Sequence, residues 1–222
     1  MDTVRAAFRD ECARLEGVLH DLDAADLDRP TPCPPWAVRD LLAHVRTGAG
    51  RLAGMLAAPA PERAEVDAAG YFGAAKFAPE VDRDRIDGAR QEARKLPGVP
   101  EVAEGFAQAW RAADAAVAAA PPGRLVRTRH GDAMALGEFL RTRVVEVAVH
   151  GLDLADALDR QPWLTPAAAA VVADLLAGGP VPDGLGWDAL TLVRKATGRV
   201  PLTDAERAEL ARTGFRWLSF GA

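Results

Sequence analysis

A carboxylate and an imidazole stand four residues apart at Glu146 and His150, in the run Arg141-Thr-Arg-Val-Val-Glu-Val-Ala-Val-His-Gly-Leu-Asp-Leu154. On a helix, residues i and i+4 share a face with Cβ atoms about 5–6 Å apart, so both side chains can converge on one ion. His44, far upstream in a second amphipathic run, would complete the set from a facing helix. Three nitrogen or oxygen ligands with a fourth position open to water or substrate is how catalytic zinc is held, whereas structural zinc is normally closed by four. The trio therefore points to a reactive metal site. The spacing alone equally admits a carboxylate–histidine pair without metal, or two solvated neighbours. Burial decides among these, because a buried carboxylate is costly unless it is paired or ligating.

Arg143 and Asp153 lie three residues before Glu146 and three after His150, near the same helix face. Asp153 could orient a ligating imidazole, and Arg143 could hold a substrate carboxylate. An ion pair within or between helices is the plainer role for each. His130, in Leu125-Val-Arg-Thr-Arg-His-Gly131, is a fourth candidate ligand, but a histidine in a basic loop is expected to be solvated. Cys33, in Thr31-Pro-Cys-Pro-Pro-Trp36, would be separated from His44 by about 16 Å of helix, too far to share an ion. Loop packing is the expectation there.

Helices must hold these groups. Leu136, Phe139, Leu140, Val144, Val147, Leu154 and Leu158 recur at helical spacing and predict one long helix carrying Glu146 and His150. A first helix from about Asp2 to Leu22 follows the stripe Phe8, Cys12, Leu15, Leu19, Leu22. A second, from about Trp36 to Leu56, contains His44, and a third spans about Pro100 to Ala120 before Pro121-Pro122-Gly123 ends it. Four helices with single apolar faces can bury them only against one another, which predicts a four-helix bundle over residues 1–160.

Residues 161–222 should add a small helical C-terminal extension. Thr165 and Pro166 start one helix there, a second spans about Trp187–Ala196, and Thr203-Asp-Ala-Glu206 is a capping box for a third. The connection 57–99 is long, with a short helix expected near Arg83–Lys95, and links of this length often cover a site. Residues 125–131 read as a short extended segment.

Composition narrows the function. The chain has 222 residues, 49% hydrophobic and 27% charged, enough for a core without disulfides. Only 6% are aromatic, and alanine supplies much of the apolar content, which favours helix. The net charge of −5 offers no broad basic surface and argues against nucleic acid as a partner. No apolar run reaches membrane-spanning length, and Met1–Asp10 lacks a hydrophobic signal core, so no membrane partner and a cytoplasmic location are expected. The two cysteines, Cys12 and Cys33, form no disulfide framework and should stay reduced. No phosphate-cradling glycine loop or GxSxG elbow is present. The sequence leaves the oligomeric state open.

Three segments together carry a resemblance: Thr31-Pro-Cys-Pro-Pro-Trp-Ala-Val-Arg-Asp-Leu-Leu-Ala-His-Val45, Thr142-Arg-Val-Val-Glu-Val-Ala-Val-His-Gly-Leu-Asp-Leu-Ala155 and Ala196-Thr-Gly-Arg-Val-Pro-Leu-Thr203. They resemble the maleylpyruvate isomerase family of mycothiol-dependent enzymes, within the DinB-like bundle superfamily. The resemblance implies an all-α, DinB-like four-helix bundle, with His44, Glu146 and His150 as ligands of a divalent ion, zinc being the usual one. It also implies a small-molecule thiol, mycothiol, as cosubstrate and a small electrophilic substrate.

A dication deprotonates a coordinating thiol, and the resulting nucleophile could give either isomerisation through a transient adduct or S-transfer. A metal-dependent hydrolase, or a non-catalytic metal-binding protein of the same fold, would keep the same ligands. The sequence departs from the family in two places. Ala37 stands where a capping hydroxyl is common, and the C-terminal part is short compared with the isomerase that names the family, so the active-site arginine of its larger second domain has no assigned position here. Arg199, in the Thr-Gly-Arg motif, is the nearest candidate for that arginine, with helix C-terminal packing as its plainer role.

Overall fold

The structure is a computed structural model that describes residues 1–73 and 79–220. In chain order its elements are α1 (Asp2–His20), α2 (Val38–Ala57), the single turn α3 (Ala68–Tyr71), α4 (Pro79–Ala93), α5 (Val99–Ala119), β1 (Leu125–Arg127), β2 (Ala133–Ala135) and α6 (Leu136–Ala157). Three further helices follow: α7 (Pro166–Ala177), α8 (Ala189–Ala196) and α9 (Asp204–Thr213).

The four long helices close a ring. α1 packs on α5 and α6, and α2 packs on the same two, so each buries its stripe against two neighbours. The predicted four-helix bundle is therefore the observed one. Phe8, Leu15 and Leu19 of α1, Leu41 and Leu52 of α2, Phe106 of α5, and Phe139 and Leu140 of α6 fill its centre and are essentially inaccessible. Burial of side chains of this size stabilises the fold by about 1.5–3 kcal/mol each.

α6 is buried nearly all round, unlike the single-stripe helix its spacing suggests. The reason lies after residue 160. α7 packs across both α1 and α6 and covers a second face of α6, and Val145, Val149 and Leu152 are buried besides the expected stripe. Buried Glu11 fastens this arrangement, since its Oε2 accepts from Thr165 N at 2.9 Å and Thr165 Oγ1 at 2.7 Å, where Thr165 caps α7. α9 opens with the expected capping box between Thr203 and Glu206, and Lys195 of α8 reaches Glu206 at 2.7 Å. The chain then returns, and Leu218 N and Phe220 N donate to Leu176 O and Ala196 O.

Two segments set up the site. Before α2, Thr31 N and Oγ1 both donate to Trp36 O, and Val38 N donates to Arg29 O, which folds residues 31–36 into a tight reversal. Ala37 cannot cap α2 with a side chain, but Asp40 Oδ2 accepts from Ala37 N at 3.1 Å and supplies half of a capping box. The long connection holds α3 and a longer α4 than expected, and α4 packs on α2. Its first part is fixed by bonds from Glu65 N and Val66 N to Ala133 O, and from Ala68 N to Glu138 Oε2. The extended segment expected at 125–131 is one arm of an antiparallel hairpin pairing Leu125 with Ala135. Gly131 turns it with φ +94°, a conformation glycine adopts without strain. No helix among the described residues is long and apolar enough to cross a membrane.

Candidate metal centre

Packing of α2 against α6 brings His44 to Glu146 and His150. His44 Nε2 lies 3.3 Å from Glu146 Oε2, His150 Nε2 lies 3.6 Å from the same oxygen, and all three donor atoms fall within 4.8 Å of one another. Their side chains are 18, 22 and 14% exposed, so they are buried on the bundle side and open on the other. The open side faces a cavity of about 380 Å³. Tetrahedral zinc with ligands at about 2.0–2.1 Å sets donor atoms roughly 3.3–3.4 Å apart. The two separations are close to that edge length, so two imidazoles and a carboxylate here fit one ion.

The surroundings orient the donors and bias their charge. His150 Nδ1 is 2.9 Å from Asp153 Oδ2. An ionised carboxylate only accepts, so Nδ1 is the protonated nitrogen and Nε2 is the one turned toward Glu146, as a ligating atom must be. Asp153 is itself clamped by Arg199, whose Nε donates to Oδ1 at 3.0 Å and Nη2 to Oδ2 at 2.7 Å. Burial pushes the Asp153 carboxyl up, but its bonds from His150 and Arg199 outweigh that and hold it far below the usual range.

Glu146 follows the same balance. Burial alone would raise it, yet the charge of Arg143 and the two imidazoles keep it ionised well below an ordinary glutamate. Burial lowers the pKa of His44 despite Glu146, which favours the neutral ligating form. The Trp36 ring, 4.8 Å from that of His44 and 6.5 Å from that of His150, packs against both imidazoles.

Arg143 is buried beside the cluster, its Nη2 3.6 Å from Glu146 Oε1 and 3.5 Å from the Tyr71 hydroxyl. Its Nε and Nη2 also donate to Thr142 Oγ1, and its guanidinium lies over the Phe139 ring. Gly48, one turn beyond His44, makes room for it: a Cβ there would lie 3.3 Å from Arg143 Nη1.

Three expectations are corrected. Cys33 is not remote: α2 begins only at Val38 and the 31–36 reversal doubles back, so its Sγ donates to Asp153 Oδ2 at 3.2 Å and it lines the same cavity as His44. His130 is half-buried on the cavity wall, its ring 6.1 Å from that of Tyr71, because the hairpin turns it inward. Arg199 does bond Thr197 O near the end of α8, but its main partner is Asp153, so helix-end packing describes only part of its role.

Cys33, His150 and Asp153 form a second cluster with donor atoms within 4.8 Å. It suits a metal poorly. Asp153 is already committed to Arg199 and His150, and burial together with Asp153 pushes the Cys33 thiol up to about 12, away from the thiolate a metal needs. It reads as hydrogen-bonded support behind His150.

Tyr71, Phe72, Arg51, Arg129 and Phe220, which also line the cavity, carry no motif that marks them as site residues. Tyr71 and Phe72 come from the long connection, whose length was the one available signal.

The sequence model of the family described as Mycothiol maleylpyruvate isomerase N-terminal domain matches residues 8–155, the stretch containing all three donors. No curated protein matches the chain. Among solved structures, a crystal structure of the mycothiol-dependent maleylpyruvate isomerase is similar with TM-score 0.54 and 17% identity over 80% of this chain and 70% of that one. A mutant of that enzyme with one histidine replaced by alanine gives TM-score 0.55 and 16% identity over the same shares. At such identities the likeness is one of fold.

Proposed function

The chain belongs to the mycothiol maleylpyruvate isomerase N-terminal domain family, and from that premise we propose that it is a metal-dependent enzyme using mycothiol on a small electrophilic substrate. The reaction is isomerisation or S-transfer. The observation that carries this reading is the trio His44, Glu146 and His150, spaced for one ion and open on one side to a cavity of about 380 Å³. Zinc is the ion best matched to two imidazoles and a carboxylate. When bound, it would supply Lewis acidity that lowers the pKa of a thiol or water on its open side.

The residues of the chain do the rest. His44, Glu146 and His150 would hold the ion. Asp153 keeps the His150 proton on Nδ1, and Arg199 keeps Asp153 ionised and in place. Arg143 offsets the charge of Glu146 and, beside the Tyr71 hydroxyl, can take a developing oxyanion or a carbonyl oxygen of the substrate. Residues 1–160 form the bundle that carries the ligands, and 161–222 the extension that brings Arg199 and Phe220 to the cavity.

Cobalt substitution tests the thiol. Titrating mycothiol into the cobalt-loaded protein should produce a sulfur-to-metal charge-transfer band in the near ultraviolet and shift the visible bands. An unchanged spectrum at saturating mycothiol would defeat the thiol reading and leave metal-dependent hydrolysis or non-catalytic metal binding. Asp153→Asn tests the support behind His150. It should weaken zinc binding by about 10–100-fold in a competition titration with a chromophoric chelator. Unaltered affinity would reduce Asp153 to an ion-pair partner of Arg199.

A further inference from the structure

Arg51 shares one face of α2 with His44 and Gly48, seven residues from the first and three from the second. It lines the main cavity together with the proposed ligands, and also lines a smaller one of about 190 Å³ against α4. His44, Arg51, Arg85 and Arg129 are common to both, so they mark where the two cavities meet. Positive charge dominates there. The main cavity presents Arg51, Arg85, Arg129, Arg143 and Arg199 against Asp82 and Glu146, in a chain whose net charge is −5.

The carboxylates nearby are mostly taken. Asp82 pairs with Arg85, Glu146 faces the imidazoles and Arg143, and Glu92 accepts from Arg46 and Lys95. Asp84 is exposed on α4 at the rim of the smaller cavity. Arg51 makes no hydrogen bond or ion pair among the described residues, although it is only partly exposed. Burial disfavours its charge, and the neighbouring charges of Arg129 and Arg143 add repulsion. Arg129 spends its Nε on His130 Nε2 at 3.1 Å, which leaves its two Nη groups to the cavity. Glu146 offsets the repulsion on Arg51 only at a distance, and no hydrogen bond or ion pair among the described residues compensates this charge, partly held back from water. A guanidinium fork in this position matches an oxyanion with two parallel N–H donations.

We propose that Arg51 and Arg129 form an oxyanion-binding subsite that holds a carboxylate or phosphate group of the substrate. The group would be anchored where the two cavities meet, with the rest of the molecule directed toward His44, Glu146 and His150. That direction rests on the function proposed above; the subsite itself does not.

The test is calorimetric titration of the zinc-loaded full chain with malonate and, separately, with inorganic phosphate. At least one anion should bind saturably, and Arg51→Gln should weaken that binding tenfold or more, with Arg129→Gln acting in the same direction. Arg111→Gln is the control, because Arg111 is exposed on α5 and pairs with Glu16. It should leave binding unchanged. The tighter of the two anions assigns carboxylate or phosphate chemistry. Binding that persists undiminished in Arg51→Gln, or no binding of either anion to the unaltered chain, overturns the subsite. Circular dichroism of each variant separates loss of the site from loss of the fold. No thiol is present, so the subsite can fail while the cobalt–mycothiol experiment succeeds, and the reverse.

Discussion

Replacing His150 with alanine should lower bound zinc from about one ion per chain to a small fraction of that, while the helical content stays near that of the unaltered protein. The expectation follows from the site holding three protein donors, so that two remain after the change and neither is pre-oriented as His150 is by Asp153. Glu146 would keep Arg143 and His44 as partners, so no buried carboxylate is orphaned. Elemental analysis after dialysis against buffered zinc reads the result. Cys33→Ser, measured alongside, should keep its metal, because the Cys33 thiol is held protonated behind the site. A His150→Ala protein with full metal content would mean that the ligands are assigned wrongly. Loss of metal in Cys33→Ser would move the ion to the cluster of Cys33, His150 and Asp153.

Periodicity made the bundle readable, because each long helix repeats apolar residues on a face that has only other helices to bury it. It also placed Glu146 and His150 on one face of α6, since i and i+4 positions are adjacent whatever the rest of the fold does. That His44 of α2 meets them is a tertiary fact; its amphipathic run offered it as a candidate from a facing helix, and the resemblance added support. Three residues show where one-dimensional reasoning failed. Cys33 was measured along a straight helix, but the chain reverses at 31–36. His130 was judged by its basic neighbours, but a hairpin turns it toward Tyr71. Arg199 was judged by its place near the end of α8, but packing of the extension on α6 leads it to Asp153. In the first two cases a local reversal redirects the chain, and in all three the resulting contact, with Asp153 or Tyr71, joins segments far apart in the sequence.

Removing the metal, or changing His44 to alanine, should suppress thiol-dependent turnover on the order of 10³-fold while leaving the bundle folded. Lewis-acid activation is worth several kcal/mol of barrier, and about 1.4 kcal/mol corresponds to a factor of ten. The fold does not depend on the same groups. Its stability comes from inaccessible side chains such as Phe8, Phe106 and Phe139, whereas His44 lies at the cavity wall, against the rings of Trp36 and His150. After the change Glu146 retains His150 and Arg143, so the buried charge stays compensated. Turnover would be followed with mycothiol against a panel of small electrophiles that includes maleylpyruvate, and thermal melts would be recorded on the same samples. The melting temperature should move by only a few degrees, as expected for a loss near 1 kcal/mol. Zinc restored to the metal-free protein should recover the activity, whereas zinc added to His44→Ala should not. Turnover that survives in His44→Ala would take the ion out of the reaction. Metal-dependent turnover that persists without thiol would make the same open site that of a hydrolase.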